Sequence, residues 1–148
     1  AELDKLFDPT KAVQVVKHDY QTKHPRKYIG TPMESANRDY PRKNWSSLIL
    51  WNCAHPRNKV LTPEFIEENS GADLHRFGWL PDSLIGEIPR EWNVLVGEQD
   101  HLRIKIAHYT LGIPEFEYYE DCDYSEEWKR TKGRMINGLI KMKDTQDA

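Results

Sequence analysis

The chain has 148 residues, 38% hydrophobic and 30% charged, the proportions of one compact folded domain rather than of a disordered or collagen-like chain. No apolar run approaches the length of a membrane span, and the start, Ala1 to Lys5, does not read as a signal peptide, so no membrane span is expected. The net charge of -3 divides unevenly: residues 1–60 hold 11 Lys and Arg against 6 Asp and Glu, and the remainder holds 10 against 18. A basic first part fits an anionic partner and an acidic second part disfavours long contact with a duplex, while plain solvation of both surfaces is the simpler reading.

In chain order, Glu2 to Phe7 reads as a helix end stopped by Asp8-Pro9. Ala12 to Val16 is rich in β-branched residues and predicts a strand. Residues 17–43 form a long polar, aromatic and basic stretch punctuated by Pro25, Gly30, Pro32 and Pro41; ordered loops of that length are usually functional. Trp45 to Trp51 (WSSLILW) predicts a strand buried on both faces. Thr62-Pro63-Glu64 opens a helix with a hydroxyl cap, a proline in the first turn and an acid at the positive end of the dipole, and Gly71 is placed to close it. Leu74 to Leu80 and Ser83 to Ile85 predict short helical turns separated by Pro81, and Trp92 to Val96 and Ile104 to Tyr109 two more short strands. Ser125 opens a final helix with Trp128, Met135, Ile136, Leu139 and Ile140 on one stripe, and residues 143–148 are a frayed tail. The alternation predicts an α/β class, a mixed sheet with flanking helices, in a single domain over 1–148.

Several side chains carry candidate chemistry. Lys17, His18, Arg42 and Lys43 form a cation cluster beside a strand, suited to a phosphate or acceptor path; the alternative is an exposed basic loop. Cys53 and Cys122 are expected as reduced thiols in a cytoplasmic setting, with one disulfide as the alternative, and Cys53-x-His55 lacks the second pair that zinc spacing needs. Asp121-Cys122-Asp123 sits in an acidic run with no hydrophobic strand leading into it, and reads as a solvated loop.

Four segments in this order, YPRKNWSSLILWNC (Tyr40–Cys53), LTPEFI (Leu61–Ile66), LHRFGWLPDSLIGEIPREWNVLVGE (Leu74–Glu98) and KIAHYTLGIP (Lys105–Pro114), preceded by VVKHDY (Val15–Tyr20) and KYIG (Lys27–Gly30), resemble bacterial and phage glycosyltransferases related to glycosyltransferase family eight. The resemblance covers most of residues 3–128. It implies a partial GT-A (nucleotide-diphospho-sugar transferase-like) fold and transfer of a sugar from a nucleoside-diphosphate donor to an acceptor, with kinship to family eight favouring retention. A divalent metal, manganese or magnesium, and cationic side chains would stabilise the departing diphosphate. The resemblance implies His108 as a metal ligand, with a structural histidine as the alternative. It implies Gly112 as a place where backbone approaches the diphosphate, and Asn44, Trp45, Ser46 and Ser47 as the floor of the sugar pocket, with strand core the alternative for Trp45. It implies Asp82 as the carboxylate contacting donor or acceptor sugar, with capping of the next helical turn as the alternative. Trp92-Asn93 reads as a structural turn whose asparagine bonds backbone.

The chain departs from the pattern in two places. The glycine after the histidine is four residues on, and Pro114 is flanked by Ile113 and Glu115, where the family has a lysine for phosphate. The Asp-x-Asp motif and the nucleotide-binding βα units have no counterpart in these residues, so the chain is expected to be the acceptor-side portion, as a fragment of a longer protein, a naturally truncated protein or half of a split enzyme, and inactive alone if the chain is complete. An apolar strand edge left by that missing half predicts a homodimer or a complementary chain. Two other functions compete: a non-catalytic carbohydrate-binding or assembly module, and, ranked last, a nucleic-acid-binding domain that stacks bases on Tyr20, Tyr28, Tyr40, Trp45 and Trp51.

Overall fold

A computed structural model describes residues 2–100 and 103–144, the last six as backbone only. The protein is mixed α/β, with small sheets and few helices. Its contacts fall into two compact units, one of Ala1–Thr22, Arg38–Val94 and His101–Ile106, the other of Lys23–Asn37, Leu95–Asp100 and Ala107–Ala148.

The first unit is built on a mixed three-stranded sheet in the order β4-β1-β5. Strand β1 (Val13–Val15) lies in the middle, antiparallel to β4 (Ile49–Trp51) and parallel to β5 (Ile85–Glu87). The β-branched run foreseen at 12–16 takes that central place because it tolerates burial on both faces: Ala12, Val13 and Val15 are fully buried. They form the core with Phe77, Leu80 and Ile85, against which Trp45, Ile49, Trp79 and Leu84 pack. Each fully buried Val, Ile or Phe contributes roughly 1.5–3 kcal/mol. Gln14, also on β1, is buried with its amide satisfied, donating to Leu6 O at 2.8 Å and accepting the Asp8 N–H at 2.6 Å. Opposite it stands Gly86, where a Cβ would come within 2.7 Å of the Gln14 side chain.

The predicted strand over 45–51 splits. Asn44 adopts a left-handed backbone (φ 61°) and Trp45–Ser47 form a 3-10 turn, so only Ile49–Trp51 pair. As an edge strand β4 is half-buried, and Trp51 is 39% exposed instead of buried on both faces. Helix α1 (Pro63–Glu68) starts as foreseen, with the Thr62 hydroxyl accepting the Phe65 N–H at 3.2 Å. Extended Asn69 ends it, while Gly71 opens α2 (Gly71–His75) under a Ser70 cap. Ile85, expected in a helical turn, is a strand residue; a 3-10 turn at Asp82–Leu84 precedes it.

The second unit is held by polar ties more than by a sheet. A hairpin of β2 (Arg26–Lys27) and β3 (Ser35–Ala36) interrupts the stretch read as loop. At its turn, Gly30 takes φ +76° and the Glu34 carboxylate accepts the Gly30 N–H at 3.0 Å and the Arg26 Nε–H at 2.5 Å; these bonds hold its pKa below the usual carboxylate value. Glu98 is 2% exposed and accepts the Lys23 N–H at 2.8 Å and the Asn37 amide at 3.0 Å, tying together segments remote in sequence. The predicted strands over 92–96 and 104–109 shorten to β6 (Val94–Leu95) and β7 (Ala107–His108), which pair in a short ribbon. Helix α3 (Ser125–Asp144) follows the sequence reading in place. Its expected buried stripe does not: Met135 is 60% and Ile136 43% exposed, and the Leu139 and Ile140 side chains lie outside the described residues. Residues 143 and 144 of the expected tail still belong to the helix, and 145–148 lie outside the described residues. Among the described residues no helix is long and apolar enough to cross a membrane.

Candidate functional site

The first unit holds nine of the candidate side chains, eight joined through contacts with one another or shared partners and Ser46 adjoining them in the chain. The loop carrying them is shaped by two left-handed residues, Arg42 (φ 57°) and Asn44 (φ 61°), conformations that a bulky side chain adopts only when its surroundings enforce it. For Arg42 the enforcement is visible. Its guanidinium donates to Phe77 O at 3.2 Å and to Arg76 O, and pairs with the Asp82 carboxylate at 2.6 Å. Phe77 is itself left-handed (φ 54°), which turns its carbonyl toward that guanidinium.

Trp45 is the centre of the cluster. Lys17 Nζ and Arg42 Cζ each lie 5.6 Å from its ring centroid, and its indole N–H donates to His18 O at 3.1 Å. Trp45 lies in a 3-10 turn rather than a strand, and its half-buried ring packs against the core with two cations near it. From His18 the network continues inward. Asn93, 1% exposed, donates through its amide to His18 Nε2 at 3.1 Å and to Ser47 Oγ at 2.7 Å. Ser47 Oγ donates to Asn44 O at 2.6 Å, and the Asn44 amide donates to the Tyr20 hydroxyl at 2.9 Å. Ser46 Oγ meets His75 Nδ1 at 3.0 Å.

The four cationic candidates therefore differ in kind. Lys43 is 8% exposed, pairs with Asp39 at 3.3 Å and lies 5.3 Å over Tyr20, and His18 is buried against Asn93; both organise the cluster from within. Arg42 is committed to two carbonyls and to Asp82. Lys17 has only the Trp45 ring and no carboxylate partner among the described residues, which makes it the cation available to an incoming anion. Asp82 begins the 3-10 turn without a side-chain capping bond; its carboxylate, 78% exposed, is fixed by Arg42 instead.

Asn93 closes the expected turn, its backbone N–H donating to Arg90 O at 3.0 Å, but its side chain bonds two side chains from remote segments. An amide immediately before an apolar strand was the available signal, since such a group, once buried, needs partners. Of the five aromatics considered for base stacking, Tyr20, Tyr28, Tyr40 and Trp45 carry one of the protein's own cations over the ring, and Trp51 lies against Trp79.

The remaining candidates, His108 and Gly112, belong to the second unit. His108 follows Ala107 in β7, its carbonyl accepting the Val96 N–H at 3.0 Å. Its Nδ1 is buried without a hydrogen-bond partner, and burial lowers the imidazole pKa, favouring the neutral ring. The next residue, Tyr109, donates to Tyr124 O at 2.8 Å, and burial, with the charges of Cys122, Glu127 and Tyr124, pushes its hydroxyl up to about 12. A neutral imidazole nitrogen without a partner has the chemistry of a ligand. However, the described residues contain no group of three or more His, Cys, Asp or Glu suited to a metal, so they do not by themselves compose a site for manganese or magnesium. Gly112 has a packing role: a Cβ there would stand 2.3 Å from the Tyr119 ring, whose hydroxyl accepts the Ile29 N–H at 3.1 Å. Asp121 and Asp123 are exposed, and Cys53 and Cys122 are free thiols.

Among known proteins, the chain is similar to Protein CDI of Arabidopsis thaliana, 43% identical over 136 residues; the match covers 86% of this chain and 50% of that protein. The chain thus spans about half the length of the curated relative it matches. No family model matches the sequence. No solved structure matches it.

Proposed function

We infer that this chain forms the sugar- and acceptor-facing part of a glycosyltransferase of GT-A type that uses a nucleoside-diphosphate sugar. Two lines support the reading: the ordered segments that resemble family-eight relatives, and, carrying it, the convergence of Lys17, His18, Arg42, Lys43, Asn44, Trp45, Ser46, Ser47 and Asp82 on one cluster of the first unit.

The chemistry follows from what each group can do. Lys17 meets the negative charge that grows on the diphosphate as the glycosidic bond breaks. Trp45 offers an apolar face to a pyranose, and Asn44, Ser46 and Ser47 bring amide and hydroxyl groups for sugar hydroxyls. Asp82, anchored by Arg42, presents an acceptor oxygen at a fixed place, suited to orienting a hydroxyl of donor or acceptor sugar. A metal supplied together with the nucleotide-binding half would neutralise phosphate charge.

Saturation-transfer NMR with a panel of UDP- and GDP-hexoses tests the reading. Weak binding is expected, with saturation reaching the sugar protons more than the base protons, and Trp45→Ala or Lys17→Ala abolishing it. Absence of saturation on the sugar protons of every donor would sink the proposal. Tight, metal-dependent binding of UDP itself would instead overturn the expectation that the nucleotide half lies elsewhere.

A further inference from the structure

On the first unit, Trp51 and Trp79 lie with their rings within 5° of parallel and their centroids 6.4 Å apart. Full face-to-face overlap puts centroids about 3.5–4 Å apart, so the rings are offset and part of each face stays uncovered. Trp79 is clamped in place. Phe77, a fully buried core residue, meets it at 5.6 Å and 58°. Its indole N–H points to Asn58 Oδ1 at 3.4 Å, and Asn58 is itself tied to Ala12 O and Asn52 O. Trp51 projects from edge strand β4 and is 39% exposed.

Trp79 also walls a recess of about 310 Å³ lined by Phe65, Asn69, Asp73, Leu74 and Gly78. Its polar groups are partly committed. The Asn69 amide donates to Phe65 O at 2.7 Å, leaving its oxygen open, and one Asp73 oxygen accepts the Ser70 hydroxyl at 2.6 Å, leaving the other open. The recess thus joins a flat indole wall to two planar acceptors. Charge selects further: residues 61–75 carry Glu64, Glu67, Glu68 and Asp73 and no Lys or Arg. A phosphate-bearing ligand is disfavoured there, in contrast to the Lys17–Trp45 cluster.

We propose that the Trp51–Trp79 face and its adjoining recess bind a neutral pyranose oligosaccharide, its C–H face on the indoles and its hydroxyls on Asn69 and Asp73. The site goes beyond the transfer reading and does not require it: the same glycan would be an acceptor for a transferase or the ligand of a binding protein.

The test is a titration of the labelled chain with cellotetraose, maltotetraose, xylotetraose and mannotetraose, reading the indole N–H resonances. At least one oligosaccharide should shift the Trp51 and Trp79 signals with a millimolar dissociation constant. Trp51→Ala should weaken binding about tenfold, the worth of one stacked ring, and Asn69→Ala should weaken it as well. The remaining indole signals report that each variant is folded. The proposal is overturned if no oligosaccharide moves both signals, if Trp51→Ala binds undiminished, or if uridine moves them and no sugar does. Trp51→Ala should leave sugar-nucleotide saturation transfer unchanged, so failure here is distinct from failure of the transfer reading.

Discussion

In the first unit, Lys17 and Arg42 lie near the Trp45 ring, and Arg42 pairs with the Asp82 carboxylate near the surface. In the second unit a carboxylate is drawn inside: Glu98 is nearly inaccessible and ties Lys23 to Asn37. The first unit has a central strand and a continuous apolar core beside its polar cluster. The second has only two-residue strands, and close backbone approach and buried polar bonds take over the structural task. Cohesion is therefore mainly apolar in the first unit and leans on buried polar bonds in the second.

That contrast can be broken at Gly112. Gly112→Ala drives a methyl into the Tyr119 ring and should cost about 3 kcal/mol in urea denaturation, with amide exchange accelerated in the second unit. In a Tyr119→Ala background the same change should be nearly silent, because the obstructing ring is gone. The first unit's counterpart is Asn93→Ala, which leaves Ser47 Oγ and His18 Nε2 without their buried donor; a loss of roughly 1–3 kcal/mol is expected. An equal loss of sugar binding would extend Asn93 from cohesion to recognition.

A smaller effect is expected from His108. Burial holds its folded pKa below the reference 6.5, so the unfolded chain takes up the proton first as pH falls. Its contribution is complete above about pH 6.5 and is lost as pH drops toward the folded pKa, with a slope of at most about 1.4 kcal/mol per pH unit. His108→Gln should flatten the pH dependence of stability relative to the parent chain; identical slopes would refute the assignment. The smallest change in stability belongs to Asp82→Asn. Its carboxylate is 78% exposed, and an exposed ion pair contributes about 1 kcal/mol or less. The denaturation midpoint should barely move while sugar binding weakens, and a large stability loss would make the Arg42–Asp82 pair structural.

The sequence made the α/β class, the central strand at 12–16, the Thr62 cap and the helix from Ser125 legible, because periodicity, β-branching and capping are local signals. It singled out the cations of 17–43, residues 44–47 and Asp82 as separate candidates, and the contacts that join them come from the tertiary structure. It did not show that Lys17 alone among the four cationic candidates is left for an anion, because that depends on which carboxylates and carbonyls arrive from residues 39, 76, 77 and 82. The exposure of Met135, Ile136 and Trp51 was hidden for the same reason: an apolar pattern states which face can be buried, and only the neighbouring elements decide whether it is. Gly112 shows the limit most clearly. The motif around it is readable in ten residues, yet its need for a bare Cα is set by Tyr119, brought against it by folding, and sterics at that range are a property of the tertiary structure alone.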